Sequence, residues 1–100
     1  MNTKTIVAVT SRSFSNNPQL VKELKKRYAN VMLNDSGATL SGNQLINFLS
    51  PAEKAIIGIE DLSENNLSQL PNLKVISKYG VGLNNINLDY CKSRNIKLGF

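Results

Sequence analysis

The sequence predicts a doubly wound α/β domain, and three observations carry the prediction. Short, β-branched apolar runs alternate with stretches of helical periodicity from Thr5 onward. The first run, 5–10, is continuously apolar, as strands of a parallel sheet covered on both faces are. The connections between them are too short for anything but right-handed crossovers. One hundred residues suffice for one such domain and one core.

The first run is Thr5-Ile-Val-Ala-Val-Thr10, a buried strand. A polar loop over 11–17 follows, and Asn17-Pro18 supplies an N-cap with proline at the first helical position. Leu20, Val21, Leu24 and Tyr28 then share one helical face, away from Lys22, Lys25 and Lys26, so an amphipathic helix is expected to about Ala29. Val31-Met-Leu33 is a second strand, followed by a turn-rich segment over 34–38. Ser41-Gly-Asn-Gln44 has capping-box spacing, Leu45, Ile46 and Leu49 form the apolar face of the helix it opens, and Ser50-Pro51 stops it. Residues 54–59 form a third strand ending at Glu60-Asp61; Ser63 caps a brief helix with Leu67 and Leu70 inward, closed by Pro71. Residues 73–77 are the fourth strand. Asn87 is the N-cap of a helix from 88 to about 94, with Ile86 and Cys91 placed as its hydrophobic staple. Asn95 suits the left-handed position after it, and 96–100 is a fifth strand. For five strands the flavodoxin-like order 2-1-3-4-5 is expected, with ligands at the carboxyl ends of the strands, where the loops 11–17 and 79–85 lie.

Composition narrows the function. The formal charge is +5 and the pI near 9.6, but only Lys22, Lys25, Lys26 and Arg27 cluster, and no aromatic residues interleave with them. A solvated helix face accounts for that cluster, and no nucleic-acid partner is expected. With one cysteine, Cys91, and no histidine, an internal disulfide is excluded and a zinc site is not expected. No apolar stretch has the length of a membrane span, so a cytoplasmic chain with no membrane partner is expected. The last residue, Phe100, stands in a strand with no turn or polar tail after it, and the sequence reads as the first part of something longer. The uncovered face of that strand then predicts self-association, such as a homodimer, or marginal stability.

The stretch around which the rest is arranged is Leu73-Lys-Val-Ile-Ser-Lys-Tyr-Gly-Val-Gly-Leu-Asn-Asn-Ile-Asn87. A strand running through glycines toward a helix directs backbone N–H groups at one point, which suits a carboxylate or phosphate. Three readings of Gly80-Val-Gly82 stand side by side: a dinucleotide fingerprint, a tight turn without ligand, and a cradle for a small carboxylate. The fingerprint lacks its third glycine, where Asn85 stands, and its acidic residue would fall at or beyond Phe100. Glu60 and Asp61 suggest a phospho-accepting site, but the acidic residues such a site needs after the first strand are replaced by Thr10-Ser-Arg12. Tyr79 is a substrate contact or a packing residue; Lys78 is a ligand-binding or a solvated lysine; Cys91 is a helix core residue.

The segment from Lys74 through Lys-Tyr-Gly-Val-Gly and Asn-Asn-Ile-Asn to Leu88, with Cys91-Lys-Ser-Arg-Asn-Ile-Lys-Leu-Gly99, resembles the N-terminal part of D-isomer-specific 2-hydroxyacid dehydrogenases of the phosphoglycerate dehydrogenase-like group. The resemblance extends back through Ala55-Ile-Ile-Gly-Ile-Glu60 and Leu70-Pro-Asn-Leu73 to Thr10-Ser-Arg-Ser-Phe14, nearly the whole chain. That family usually has an acidic residue where Asn84 or Asn87 stands. The resemblance implies a flavodoxin-like substrate lobe over residues 1–100. It implies that the backbone of Tyr79, Gly80, Val81 and Gly82 receives the carboxylate of a 2-hydroxy or 2-oxo acid, that Lys78 assists, and that Arg12 and Ser13 border the same cleft. The family's catalytic Arg, Glu or Asp and His, and its domain for NAD or NADP, correspond to nothing in these residues, so no cofactor is expected on this chain alone. Hydride transfer from an alcohol needs a partner group of near-neutral pKa, usually histidine, and the sequence has none. The expectation is a half-site that holds a carboxylate without reducing it; a non-catalytic module acting through dimerisation or a protein partner is the competing reading.

Overall fold

The computed structural model describes residues 2–99. Ten elements follow in order: β1 Asn2–Val9, α1 Arg12–Ser15, α2 Pro18–Arg27, β2 Tyr28–Leu33, α3 Gly42–Leu49, β3 Lys54–Ile57, α4 Glu64–Leu67, β4 Val75–Lys78, α5 Leu88–Ser93 and β5 Lys97–Gly99. All strand pairs are parallel and the sheet order is β2-β1-β3-β4-β5, the expected flavodoxin-like arrangement.

Where local signals were strong, the expected punctuation is present. Asn17 Oδ1 accepts from the amides of Gln19 and Leu20 at 3.1 and 3.2 Å. Ser63 Oγ accepts from Asn66 N at 3.3 Å, and Asn87 Oδ1 from Tyr90 N at 3.0 Å. Asn95 holds φ 58°, the left-handed residue that turns α5 into β5.

Five departures have identifiable causes. The polar loop after β1 contains a helical turn, α1, because Ser11 Oγ accepts from Phe14 N at 3.2 Å and nucleates it ahead of α2. The first strand begins earlier than expected, at Asn2, whose side chain accepts from the amides of Lys4 and Thr5 beside an irregularity in the β1–β2 register. Tyr28 leaves the helix and opens β2: it pairs with Asn2, and its hydroxyl accepts from Lys54 Nζ at 2.7 Å, so tertiary pairing overrides the helical periodicity. Ser41 caps α3 through its backbone alone, with no side-chain capping bond, as Gly42 turns the chain at φ 54°. The third strand ends at Ile57 rather than Ile59, because the amide of Gly58 donates to Glu60 Oε1 at 2.8 Å and leaves the ladder. Phe100, the expected end of the fifth strand, lies outside the described residues.

Alternation along the strands sorts the sheet into two faces. Ala8, Ala55, Ile57 and Ile76 join Leu45 and Leu49 of α3, Leu67 of α4, Cys91 of α5 and the connecting Leu62, Leu70 and Leu73 in one buried cluster. Each fully buried leucine contributes roughly 1.5–3 kcal/mol relative to exposure. Val7 and Val9 are buried outside that cluster, on the alternate face of β1, and Ile56 and Val75 on the same face are half-buried. Leu98 of β5 is half-buried against the main cluster. Among the described residues the large exposed apolar side chains are Ile59, Tyr79, Val81 and Leu88, at the carboxyl end of the sheet rather than on its last strand. Arg94 fastens α5 to the end of α4, donating to the carbonyls of Leu67 and Leu70 at 2.6 and 3.0 Å.

Candidate functional site

A cleft of about 150 Å³ opens over the carboxyl ends of β1 and β3. An engineered apolar cavity of that size accepts benzene, about six heavy atoms. The segment after β1 contributes Ser11, Arg12 and Ser13; the segment after β3 contributes Gly58, Ile59 and Glu60; Thr39 and Tyr79 close it from the loops after β2 and β4.

Its floor is a carboxylate. Glu60 is 3% exposed, and its Oε1 accepts from Thr10 Oγ1 at 2.7 Å and from Gly58 N at 2.8 Å. Thr10 comes from the end of β1 and donates its amide to Ile56 O at 2.9 Å, so the two strand ends are laced together beneath the cleft. A Cβ on Gly58 would stand 3.6 Å from the Ser11 side chain and from Glu60 Oε1, ordinary contact distance. Arg12 reaches across from α1, donating from Nη1 to Gly37 O at 3.0 Å, which ties the loop after β2 to the rim.

The loop after β4 is held by a second set of bonds. Tyr79 N donates to Ile57 O at 2.8 Å, and the Tyr79 ring meets Phe14 edge to face, centroids 5.3 Å apart. Lys78 Nζ donates to Gly58 O and, at 2.9 Å, to Asn85 Oδ1. Asn85 Nδ2 in turn donates to Gly58 O at 3.0 Å and Glu60 O at 2.7 Å. Between these anchors Gly80 (φ 135°) and Gly82 (φ 81°) take conformations that disfavour side chains, and Val81 is 98% exposed. Among the described residues, the amides of Gly80, Val81 and Gly82 donate to no protein acceptor. Three successive N–H groups without a protein acceptor, in the loop that continues from the cleft residue Tyr79, remain available as donors.

Of the residues singled out in the sequence, Arg12, Ser13 and Tyr79 line the cleft. Gly80, Val81 and Gly82 follow Tyr79 on the exposed tip of the loop. Lys78 is half-buried and engaged with Gly58 and Asn85, as an internal strut. Ser11, Thr39, Gly58, Ile59 and Glu60 complete the lining without having been assigned there. Glu60 stood out in the sequence as an acid ending a strand; Ser11 lay in the polar loop 11–17, with the residue type of an N-cap as the signal that could have marked it, and nothing local marked Thr39.

The glycine loop does not run straight into a helix, as the sequence had suggested. It first crosses to the segment after β3, where Ile86 bridges Leu62 and Asn87 N donates to Leu62 O at 2.9 Å. The six-residue α5 that follows has its N-terminus occupied by the Asn87 side chain. With Asn85 engaged through both ends of its amide, these residues do not fit a dinucleotide. Cys91 is fully buried; burial pushes its thiol pKa up, an effect partly offset by the nearby Arg94 guanidinium.

A parallel doubly wound sheet in the order β2-β1-β3-β4-β5, with a polar cleft over its strand ends, defines a flavodoxin-like α/β domain. The chain belongs to the D-isomer specific 2-hydroxyacid dehydrogenases: residues 7–99 match the model of that family's catalytic domain. No curated protein matches it in sequence. Among solved structures, a protein from Polaromonas sp. assigned to the NAD-binding D-isomer specific 2-hydroxyacid dehydrogenases superposes with a TM-score of 0.84 at 23% identity, over 94% of this chain and 29% of that one. A phosphoglycerate oxidoreductase from Vibrio cholerae gives 0.75 at 23%, over 95% and 30%. The D-lactate dehydrogenase from Aquifex aeolicus, complexed with NAD and lactic acid, gives 0.63 at 26%, over 94% and 27%. The chain therefore spans less than a third of the length of these structures.

Proposed function

We propose that residues 1–100 are the substrate-binding lobe of a cytoplasmic, NAD- or NADP-dependent dehydrogenase of D-2-hydroxy acids. The observation that carries this reading is the row of open amides on Gly80, Val81 and Gly82 beside a cleft lined by Tyr79, Arg12 and Ser13. A carboxylate seated on those amides gains charge-assisted hydrogen bonds. Its 2-hydroxy or 2-oxo carbon is then held at the cleft mouth, while the remainder of the molecule enters between Ser13, Thr39 and Glu60. Lys78 acts through the loop, keeping Gly80 to Gly82 in register with the segment after β3. The nicotinamide, held elsewhere in the enzyme, supplies the hydride chemistry. The chain has no histidine, so proton exchange with the hydroxyl is assigned to a group outside these residues. The exposed Ile59 and Val81 at the mouth support closure of the site by a further domain.

Amide NMR of the chain titrated with small 2-oxo acids, and separately with NADH, tests the reading. Shifts centred on Tyr79 to Gly82 with the acids and none with NADH are expected. A well-folded sample unmoved by every acid would refute it and favour a module that acts through protein contacts.

A further inference from the structure

The proposed lobe has a buried acidic side chain, Glu60, that the carboxylate site does not use. We infer that Glu60 is a specificity-determining residue of the cleft, whose Oε2 accepts a hydrogen bond from a hydroxyl or ammonium group at the far end of the substrate. The inference rests on the proposed carboxylate site and adds the chemistry of the substrate's other end.

The geometry is asymmetric about the carboxylate. Both protein donors, Thr10 Oγ1 and Gly58 N, go to Oε1, and no described residue donates to Oε2. Among the described residues every fully buried side-chain nitrogen or oxygen has a partner. Oε2, which has none, is therefore the accessible part of a residue that is otherwise 97% buried, and the surface it reaches is the cleft. No ion pair among the described residues involves Glu60. The basic residues of the neighbouring segments are engaged with other acceptors, Lys78 with Gly58 O and Asn85 Oδ1, Arg12 with Gly37 O. A carboxylate withdrawn from water with half its acceptor capacity open favours a donor supplied by the ligand. It also repels a second carboxylate or a phosphate at the same end. The hydroxyls of Ser13 and Thr39 in the same lining are compatible with a hydroxylated chain.

The test is calorimetric or NMR titration of the full chain with four-carbon 2-oxo acids that end in a methyl, a hydroxyl or a carboxylate. The unsubstituted chain is expected to bind the hydroxyl form about 10- to 100-fold more tightly than the methyl form, the effect of a hydrogen bond to a charged acceptor. The dicarboxylate is expected to bind weakest. Glu60→Gln keeps an acceptor for Thr10 and Gly58 but turns the open charged acceptor into a neutral donor, so it is expected to cut the preference for the hydroxyl to that of a neutral hydrogen bond and restore dicarboxylate binding. The wild-type selectivity needs no variant and stands as a test even if the substitution impairs folding. Equal affinities for the three acids, or selectivity unchanged in Glu60→Gln, would overturn the role of Glu60 and leave the carboxylate site intact. Failure of all three acids to bind would overturn both.

Discussion

Replacing Asn85 by alanine removes three side-chain hydrogen bonds from the strut under the glycine loop. Two are between neutral groups, to Gly58 O at 3.0 Å and Glu60 O at 2.7 Å; the third accepts from the Lys78 ammonium at 2.9 Å. Neutral bonds contribute about 1 kcal/mol each and one to a charged group roughly 1.5–3, but Asn85 and Lys78 are half-buried and water replaces part of what is lost. The Asn85→Ala chain is therefore expected to lose about 2–3 kcal/mol, or roughly 10–20 °C in Tm for a domain of this size. Urea unfolding followed by circular dichroism measures the loss directly. A double-mutant cycle with Lys78→Met isolates the Lys78–Asn85 bond, with a coupling of about 1 kcal/mol expected. A loss below about 0.5 kcal/mol, or additive single mutants, would refute the view that this network holds the loop.

The glycine loop allows a graded test of backbone strain. Gly82→Ala meets no atom within 4 Å but must hold φ 81°, so a cost of about 1–2 kcal/mol is expected in the same unfolding assay. Gly80→Ala at φ 135° is expected to cost about 1–3 kcal/mol, the larger effect of the two. Val81→Ser, at a side chain 98% exposed, is expected to change stability by less than about 0.5 kcal/mol. The buried Cys91 thiol is expected to resist alkylation in the folded chain and react at once on unfolding, measured by mass spectrometry. Its raised pKa means that above pH 9.0 the unfolded chain releases the proton first; stability then falls as pH rises past that value, and Cys91→Ala removes that part of the pH dependence.

What the sequence by itself determined lies within a few residues along the chain. Apolar runs such as Val7-Ala-Val9 and Ala55-Ile-Ile57 declare buried parallel strands, and Asn17, Ser63, Asn87 and Asn95 bond to or turn backbone a residue or more away, so caps and left-handed turns were visible before the fold. Strand order followed, because alternation of strands with short helices admits few topologies. Motif resemblance singled out Arg12, Ser13 and Tyr79, which the fold brings to one cleft. Tertiary structure decided the rest through contacts that no local pattern encodes. Tyr28 has the spacing of a helical face, yet Asn2 and Lys54 draw it into a strand. Lys78 has the character of an exposed base beside a glycine turn, yet Gly58 and Asn85 turn it inward. Glu60 becomes the floor of the cleft because Thr10, 50 residues earlier, ends the adjacent strand with its hydroxyl aimed at that carboxylate. Parallel crossovers bring together residues far apart in the chain, and the chemistry of the cleft is a property of that juxtaposition.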